Sequence, residues 1–380
     1  TYTEQHYTEQ DMVDYTMLGI LHDIGLYKED NVKNVTDFET KNLWPHSIYG
    51  FLFLKYLSPI GDKAEVVLYH HLDYNRYNLI ESRYLHVIEL LNLADKMDTF
   101  LHLKEEKLEK DYFIKYVNVK FSGAALELFQ KAEKRYNITA NLVDGTYRKE
   151  LDVLLAKRAF SEKYKRGFLE MLVYTIDFRS EHTVIHTLAT VNFAEKLGRL
   201  ARLTGKELRD LHYGALLHDL GKIAIPLNIL ESTGRLSDDE MKIMKAHVRI
   251  TEMILEGVVD DDVLQIAVRH HEKLDGTGYH RGLSAKDLTL PQQIIAVADI
   301  LSALYGKRSY KEAFSKEKIL AIMQGDAENG KINANVVNSL VRNYDKIIGE
   351  FEKEKEDTIG LYLKIKEQYA IMIERFQRFD

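Results

Sequence analysis

The chain has 380 residues, 45% hydrophobic and 29% charged, which is enough apolar material for two domains with full cores. It contains no cysteine, which excludes disulfides and thiolate metal sites, and its net charge of −7 disfavours binding to a nucleic-acid polymer. The start is polar and no apolar stretch reaches spanning length, so the expectation is a cytoplasmic protein with no membrane segment in this chain.

Helical spacing dominates from end to end, alternating strand patterns are scarce, and the four prolines (Pro45, Pro59, Pro226, Pro291) sit at expected helix starts or loops. The expected fold is therefore all-α. In the N-terminal half, His22-Asp23-Ile-Gly25 follows an apolar run, and His46, the pair His70-His71 and Asp95 come after it. Phe160, Tyr164, Phe168, Leu172 and Ile176 fall at near-helical steps, predicting a stiff helical connection over Leu151–Asp177. That places a first domain at 1–163 and a second at 164–380.

The second half opens with His182 and His186, spaced i,i+4 so that both imidazoles share one helix face. His218-Asp219, His247, His270-His271 and Asp299 complete a ligand series able to hold two or three divalent ions. Lys222, four positions after His218, can point into the same pocket and stabilise charge growing on phosphate oxygens. Arg308 and Lys311 are spaced i,i+3. From Ile347 to Phe379, Tyr362, Ile365, Tyr369, Met372, Phe376 and Phe379 form a short seam, either packing on its own domain or forming a homodimer.

The second half resembles the HD-GYP phosphodiesterases of the HD metallohydrolase superfamily. The resemblance rests on His218-Asp-Leu-Gly-Lys222, His270-His271-Glu272, Asp275-Gly-Thr-Gly-Tyr279, Gly282-Leu283, Ala298-Asp299 and Arg308-Ser-Tyr-Lys311, in the family's order. It implies two or three divalent metals, iron or manganese favoured, held by His182, His186, His218, Asp219, His247, His270, His271 and Asp299. It also implies a bridging and catalytic role for Asp219, with a metal-bound hydroxide as nucleophile. Lys222, Tyr279, Arg308 and Lys311 would contact a cyclic dinucleotide, either cyclic di-GMP or 3',3'-cyclic GMP-AMP, cut to linear dinucleotide or mononucleotide. A signalling-protein partner at the loop is a further implication.

Three departures stand out. The family's Gly-Tyr-Pro reads Gly278-Tyr279-His280, a His stands at 182 where members with three metals often carry Glu, and Thr251 replaces a common glycine. A nucleotide receptor, or a hydrolase of another nucleotide, stays open beside the phosphodiesterase reading.

The N-terminal half repeats the order. His22, His46, His70 and Asp95 precede His218, His247, His270 and Asp299 by 196, 201, 200 and 204 residues. Near-constant offsets indicate tandem duplication, hence two HD-type bundles. The first copy has Leu26 where Lys222 would stand and lacks the glycine-rich Tyr loop, and its counterpart of His186 is expected about 32 residues before His22, upstream of Thr1. It is expected to serve a regulatory or dimerising role, with a second metal site at His22, Asp23, His46, His70, His71 and Asp95.

Overall fold

The computed structural model describes residues 7–28, 43–104, 110–156, 160–178, 181–232, 234–306 and 314–376; the side chains at 27, 28, 43, 99–104, 110–112, 181 and 182 lie outside this description. Among the described residues the fold is all-α, as expected. There is no strand, only isolated bridges pairing Val117 with Phe121 and Asp275 with Ser284. No described helix is long and apolar enough to cross a membrane.

Backbone contacts separate two units, residues 1–171 with 365–380, and residues 172–364. The first unit begins with α1 (Glu9–Leu21), started by a capping box in which Thr8 and Asp11 satisfy each other's backbone amides. A 3-10 turn over Ile24–Lys28 leads on to α2 (Leu43–Leu57), α3 (Glu65–Leu68), α4 (Leu85–Lys104), α5 (Lys110–Lys115), α6 (Gly123–Tyr136), α7 (Ile138–Asp144) and α8 (Tyr147–Ala156). The helix expected over Leu151–Asp177 is in fact interrupted. Phe160 and Ser161 are non-helical, and the Ser161 hydroxyl accepts from the Tyr164 amide at 3.2 Å, starting α9 (Glu162–Asp177) as a new helix.

The second unit continues through α10 (Glu181–Leu200), α11 (Gly205–Leu217), a 3-10 turn over Leu220–Ala224, α12 (Leu227–Leu230), α13 (Asp238–Leu255), α14 (Asp261–Val268), α15 (Leu290–Gly306), α16 (Lys316–Glu328) and α17 (Ala334–Phe376). Capping boxes at Thr204–Glu207 and Ser237–Glu240 set the starts of α11 and α13. Phe193, Leu211, Ile294, Leu301, Tyr305, Leu340 and Phe351 fill one buried core under these helices. Each such side chain taken from water contributes about 1.5–3 kcal/mol.

The last helix corrects one expectation. Its seam packs within the chain, but residues 365–376 belong to the first unit rather than to the second domain. Tyr369 stacks on Tyr49 at 3.9 Å between ring centroids, and Phe376 meets Trp44 at 4.8 Å. Aromatic area on α2 decides the matter, and heptad spacing carries no record of it. Phe379 lies outside the described residues.

Candidate metal centre

Five segments of the second unit deliver the ligand series to one place. His186 comes from α10, His218 from the C-cap of α11, His247 from α13, His270 and His271 from the turn after α14, and Asp299 from α15. Asp219 follows His218 at φ −102°, ψ 10°, where the chain leaves the helix for the 3-10 turn. Gly221 lets that turn lie against α13: a Cβ there would sit 2.0 Å from the His247 carbonyl oxygen. Thr251 closes the contact, accepting from the Gly221 amide at 2.9 Å and donating to the His218 carbonyl at 3.2 Å.

The two oxygens of Asp219 face different imidazole groups. Oδ2 lies 3.1 Å from His218 Nε2 and 3.2 Å from His186 Nε2, while Oδ1 lies 3.3 Å from His247 Nε2 and 3.9 Å from His270 Nε2. Asp299 divides likewise, with Oδ1 at 3.2 Å from His186 Nε2 and Oδ2 at 3.3 Å from His271 Nδ1. His186, His218 and Asp219 thus form one group able to hold an ion, and His247, His270 and His271 a second.

Hydrogen bonds fix the ring orientations. Nδ1 of His218, His247 and His270 each donates to the carbonyl three residues back, Ala215, Met244 and Ala267, at 2.6–2.7 Å. His186 Nδ1 donates to the Ser302 hydroxyl at 2.9 Å, whose proton goes to the Asp299 carbonyl. With Nδ1 as donor, a neutral ring carries its lone pair on Nε2. Nε2 atoms then face one another at 3.3 Å, in the pairs His186–His218 and His247–His270, and face carboxylate oxygens as well. Acceptor opposed to acceptor in a buried space is unfavourable until cations lie between them, so the donor set fits divalent metals.

Electrostatics agree. Burial pushes His247 down to about 4 and His270 well below its usual range, keeping both neutral. Burial also opposes charge on His186, but Asp219 and Asp299 outweigh it and raise that imidazole to about 9, so an ion bound there would displace the proton that Nε2 otherwise holds toward those carboxylates. Burial alone would raise both carboxylates; the imidazoles, with Lys222 beside Asp219, hold them well below the carboxylate range.

Around this centre, Lys222 Nζ contacts Asp219 Oδ2, and the carboxylate's charge outweighs burial to raise its pKa. The Tyr279 ring lies 4.6 Å from that of His271, and the Lys245 ammonium lies 4.9 Å from the Tyr279 ring centroid. Burial, then the Asp299 and Asp219 charges, push the Tyr279 hydroxyl well above its usual value.

Sequence reasoning assigned no role to Glu272, Glu252 or Asp177. Glu272 is buried and accepts from the amides of Arg281 at 2.7 Å and Leu283 at 2.9 Å, pinning the glycine-rich loop. Its place beside the paired histidines was the available signal. Glu252 holds His280 at 3.1 Å and also pairs with Arg281. Asp177, at the end of α9, is fully buried; burial first, then the Asp219 charge, raise it to about 7. No local pattern marks Asp177. The His182 side chain, Arg308 and Lys311 lie outside the described residues.

The first unit holds a parallel cluster. Asp23 Oδ1 lies 3.6 Å from His46 Nε2 and 3.8 Å from His70 Nε2, and its Oδ2 lies 3.4 Å from His22 Nε2. Asp95 reaches His22 Nε2 at 3.5 Å through Oδ1 and His71 Nδ1 at 3.3 Å through Oδ2. Gly25 matches Gly221, a Cβ there meeting the His46 carbonyl oxygen at 2.0 Å. Burial lowers His46 to about 3 and His71 to about 4. Burial opposes charge on His22 as well, but Asp95 and Asp23 raise it to about 9.

Residues 170–336 match the family model described as "HD domain". That stretch is similar to HD domains. Around it the chain is 26% identical over 353 residues to the 3'3'-cGAMP-specific phosphodiesterase 1 of Vibrio cholerae, covering 86% of this chain and 80% of that protein. It is 36% identical over 211 residues to the cyclic di-GMP phosphodiesterase response regulator RpfG of Xanthomonas campestris, covering 52% of this chain and about half, 54%, of that protein. The solved cyclic GMP-AMP specific phosphodiesterase V-cGAP3 of V. cholerae shares the fold, with a TM-score of 0.52 at 17% identity, over 90% of this chain and 89% of that one. The matched stretch contains every described residue of the second-unit cluster.

Proposed function

We propose that the second unit is a metal-dependent phosphodiesterase of HD-GYP type that opens a cyclic dinucleotide, cyclic di-GMP or 3',3'-cyclic GMP-AMP. The observation carrying this reading is the division of Asp219, one oxygen toward His186 and His218 and the other toward His247 and His270. A carboxylate so placed is suited to bridge two divalent ions, and the HD family and the named relatives support the substrate class. The nitrogen and oxygen donors suit iron or manganese.

When bound, the ions supply Lewis-acid charge for the phosphate oxygens and lower the pKa of a water molecule. Lys222 places an ammonium beside that centre to neutralise charge developing on the phosphate. Tyr279 offers an aromatic face next to His271, while Arg308 and Lys311 clamp phosphate by virtue of their motif positions. Hydrolysis adds water across one P–O3′ bond, the oxygen going to phosphorus and a proton to the leaving 3′ oxygen. The product is linear dinucleotide, and a second cut gives mononucleotide. Glu272 positions the loop without touching the reacting atoms.

The first unit is read as a degenerate copy of the HD bundle with a regulatory or dimerising role. Its parallel cluster and its matching Gly25 contact support that reading, and Leu26 in place of the lysine argues against hydrolysis there.

The test is product analysis. Iron- or manganese-loaded protein, kept anaerobic, is incubated separately with each of the two cyclic dinucleotides. Linear product that disappears with chelator is expected. Intact nucleotide at confirmed metal content would refute hydrolysis and favour a receptor with the altered His280 loop.

A further inference from the structure

The first unit contains a ligand set that the proposed hydrolysis does not use. Asp23, His46, His70 and His71 each offer one donor atom within 4.8 Å of all the others. Three of these separations are 2.9 Å between His46 Nε2 and His71 Nε2, 3.6 Å from Asp23 Oδ1 to His46 Nε2, and 3.8 Å from the same oxygen to His70 Nε2. Donors about 2.0–2.1 Å from a tetrahedral ion stand roughly 3.4 Å apart. Three of the six donor separations lie within about 0.5 Å of that value, and all six are under 4.8 Å.

Orientation gives a second and independent observation. His70 is fully buried, and its Nδ1 donates to the Val67 carbonyl at 2.5 Å, so the lone pair is on Nε2. That Nε2 is buried without a hydrogen-bond partner and faces the carboxylate of Asp23. A buried acceptor aimed at another acceptor is costly unless a cation lies between them. His71 is aligned by Asp95, which accepts from Nδ1 at 3.3 Å while Nε2 faces His46. Carboxylate, imidazole and ion in series is how proteins orient metal-bound histidines.

We infer that the first unit binds one divalent transition-metal ion through Asp23, His46, His70 and His71, in a mononuclear site separate from the HD centre of the second unit. The four ligands mirror Asp219, His247, His270 and His271. Among the described residues, His22 is the first-unit histidine that pairs with Asp95 Oδ1, where both His186 and His218 approach Asp299 Oδ1. Three imidazoles and one carboxylate select an ion of the zinc, iron or cobalt class over magnesium or calcium. The ligands come from the turn after α1, from α2 and from the turn after α3, so the ion ties three segments together. Asp23, part-exposed on this cluster, leaves access from solvent. The inference does not depend on hydrolysis in the second unit.

The experiment counts ions in the full chain. Protein carrying Asp219→Ala and His270→Ala, stripped with chelator and then given Zn²⁺ alone, is dialysed and analysed for metal and melting temperature. One zinc per chain is expected, with a higher melting temperature than the stripped protein. Adding His70→Gln should bring the count to zero and abolish the thermal shift. Should that variant fail to fold, Asp23→Asn reads the same loss at a part-exposed position. No zinc in the starting variant, or an unchanged count after His70→Gln and after Asp23→Asn, overturns the site. Loss of turnover in the second unit has no bearing on either result.

Discussion

Asp177→Asn probes the electrostatics beside the second-unit cluster. Asp177 is fully buried, and burial raises its carboxyl from the ordinary 3.8 to about 7, with the Asp219 charge adding to the effect. In the unfolded chain the group ionises near 3.8. Between about pH 4 and pH 7 the folded state therefore holds a proton that the unfolded state has released, and stability falls as pH rises across that window. At about 1.4 kcal/mol per tenfold, the displacement is worth on the order of 4 kcal/mol by pH 8. Asparagine cannot ionise, so the variant should lack this slope. Its amide must occupy a site where Oδ2 has no hydrogen-bond partner, which costs about 1–3 kcal/mol at every pH. The slope is therefore diagnostic and the absolute melting temperature is not. The assay is urea unfolding at half-unit steps from pH 5 to 8.5 in chelator, since a bound cation would favour the charged carboxylate. Parallel wild-type and variant profiles would refute the reasoning.

Other expectations follow from the same geometry. Asp219→Asn should lower turnover at least ~10³-fold and reduce bound metal, measured by product formation and metal analysis. Lys222→Met should retain the metal but lower kcat about 10²–10³-fold; loss of metal instead would make the lysine a structural counter-charge. Gly221→Ala drives a Cβ to 2.0 Å from the His247 carbonyl and should destabilise the second unit by about 3 kcal/mol or more, read by denaturant midpoint. Glu272→Gln weakens two charge-assisted bonds of about 1.5–3 kcal/mol each; hydrogen exchange at Arg281 and Leu283 should accelerate and KM rise.

The ligands themselves were legible in sequence because their chemistry is local. A His-Asp pair at a helix end, a glycine two residues beyond it and a following paired histidine give a pattern that survives without coordinates. Helical periodicity likewise gave the all-α class. What that periodicity missed was the break at Phe160–Ser161, since one capping hydroxyl can end a run that apolar spacing would continue.

Tertiary structure decided the rest, because the interactions involved join residues far apart in the chain. Only packing places the Asp219 oxygens toward opposite imidazole pairs, buries Asp177 beside them, sets Glu272 against the loop amides and lays Tyr369 on Tyr49. Sequence named the donor atoms in both halves; the direction of each lone pair, and so which four of the first-unit donors converge, depends on hydrogen bonds that exist only once the helices are packed.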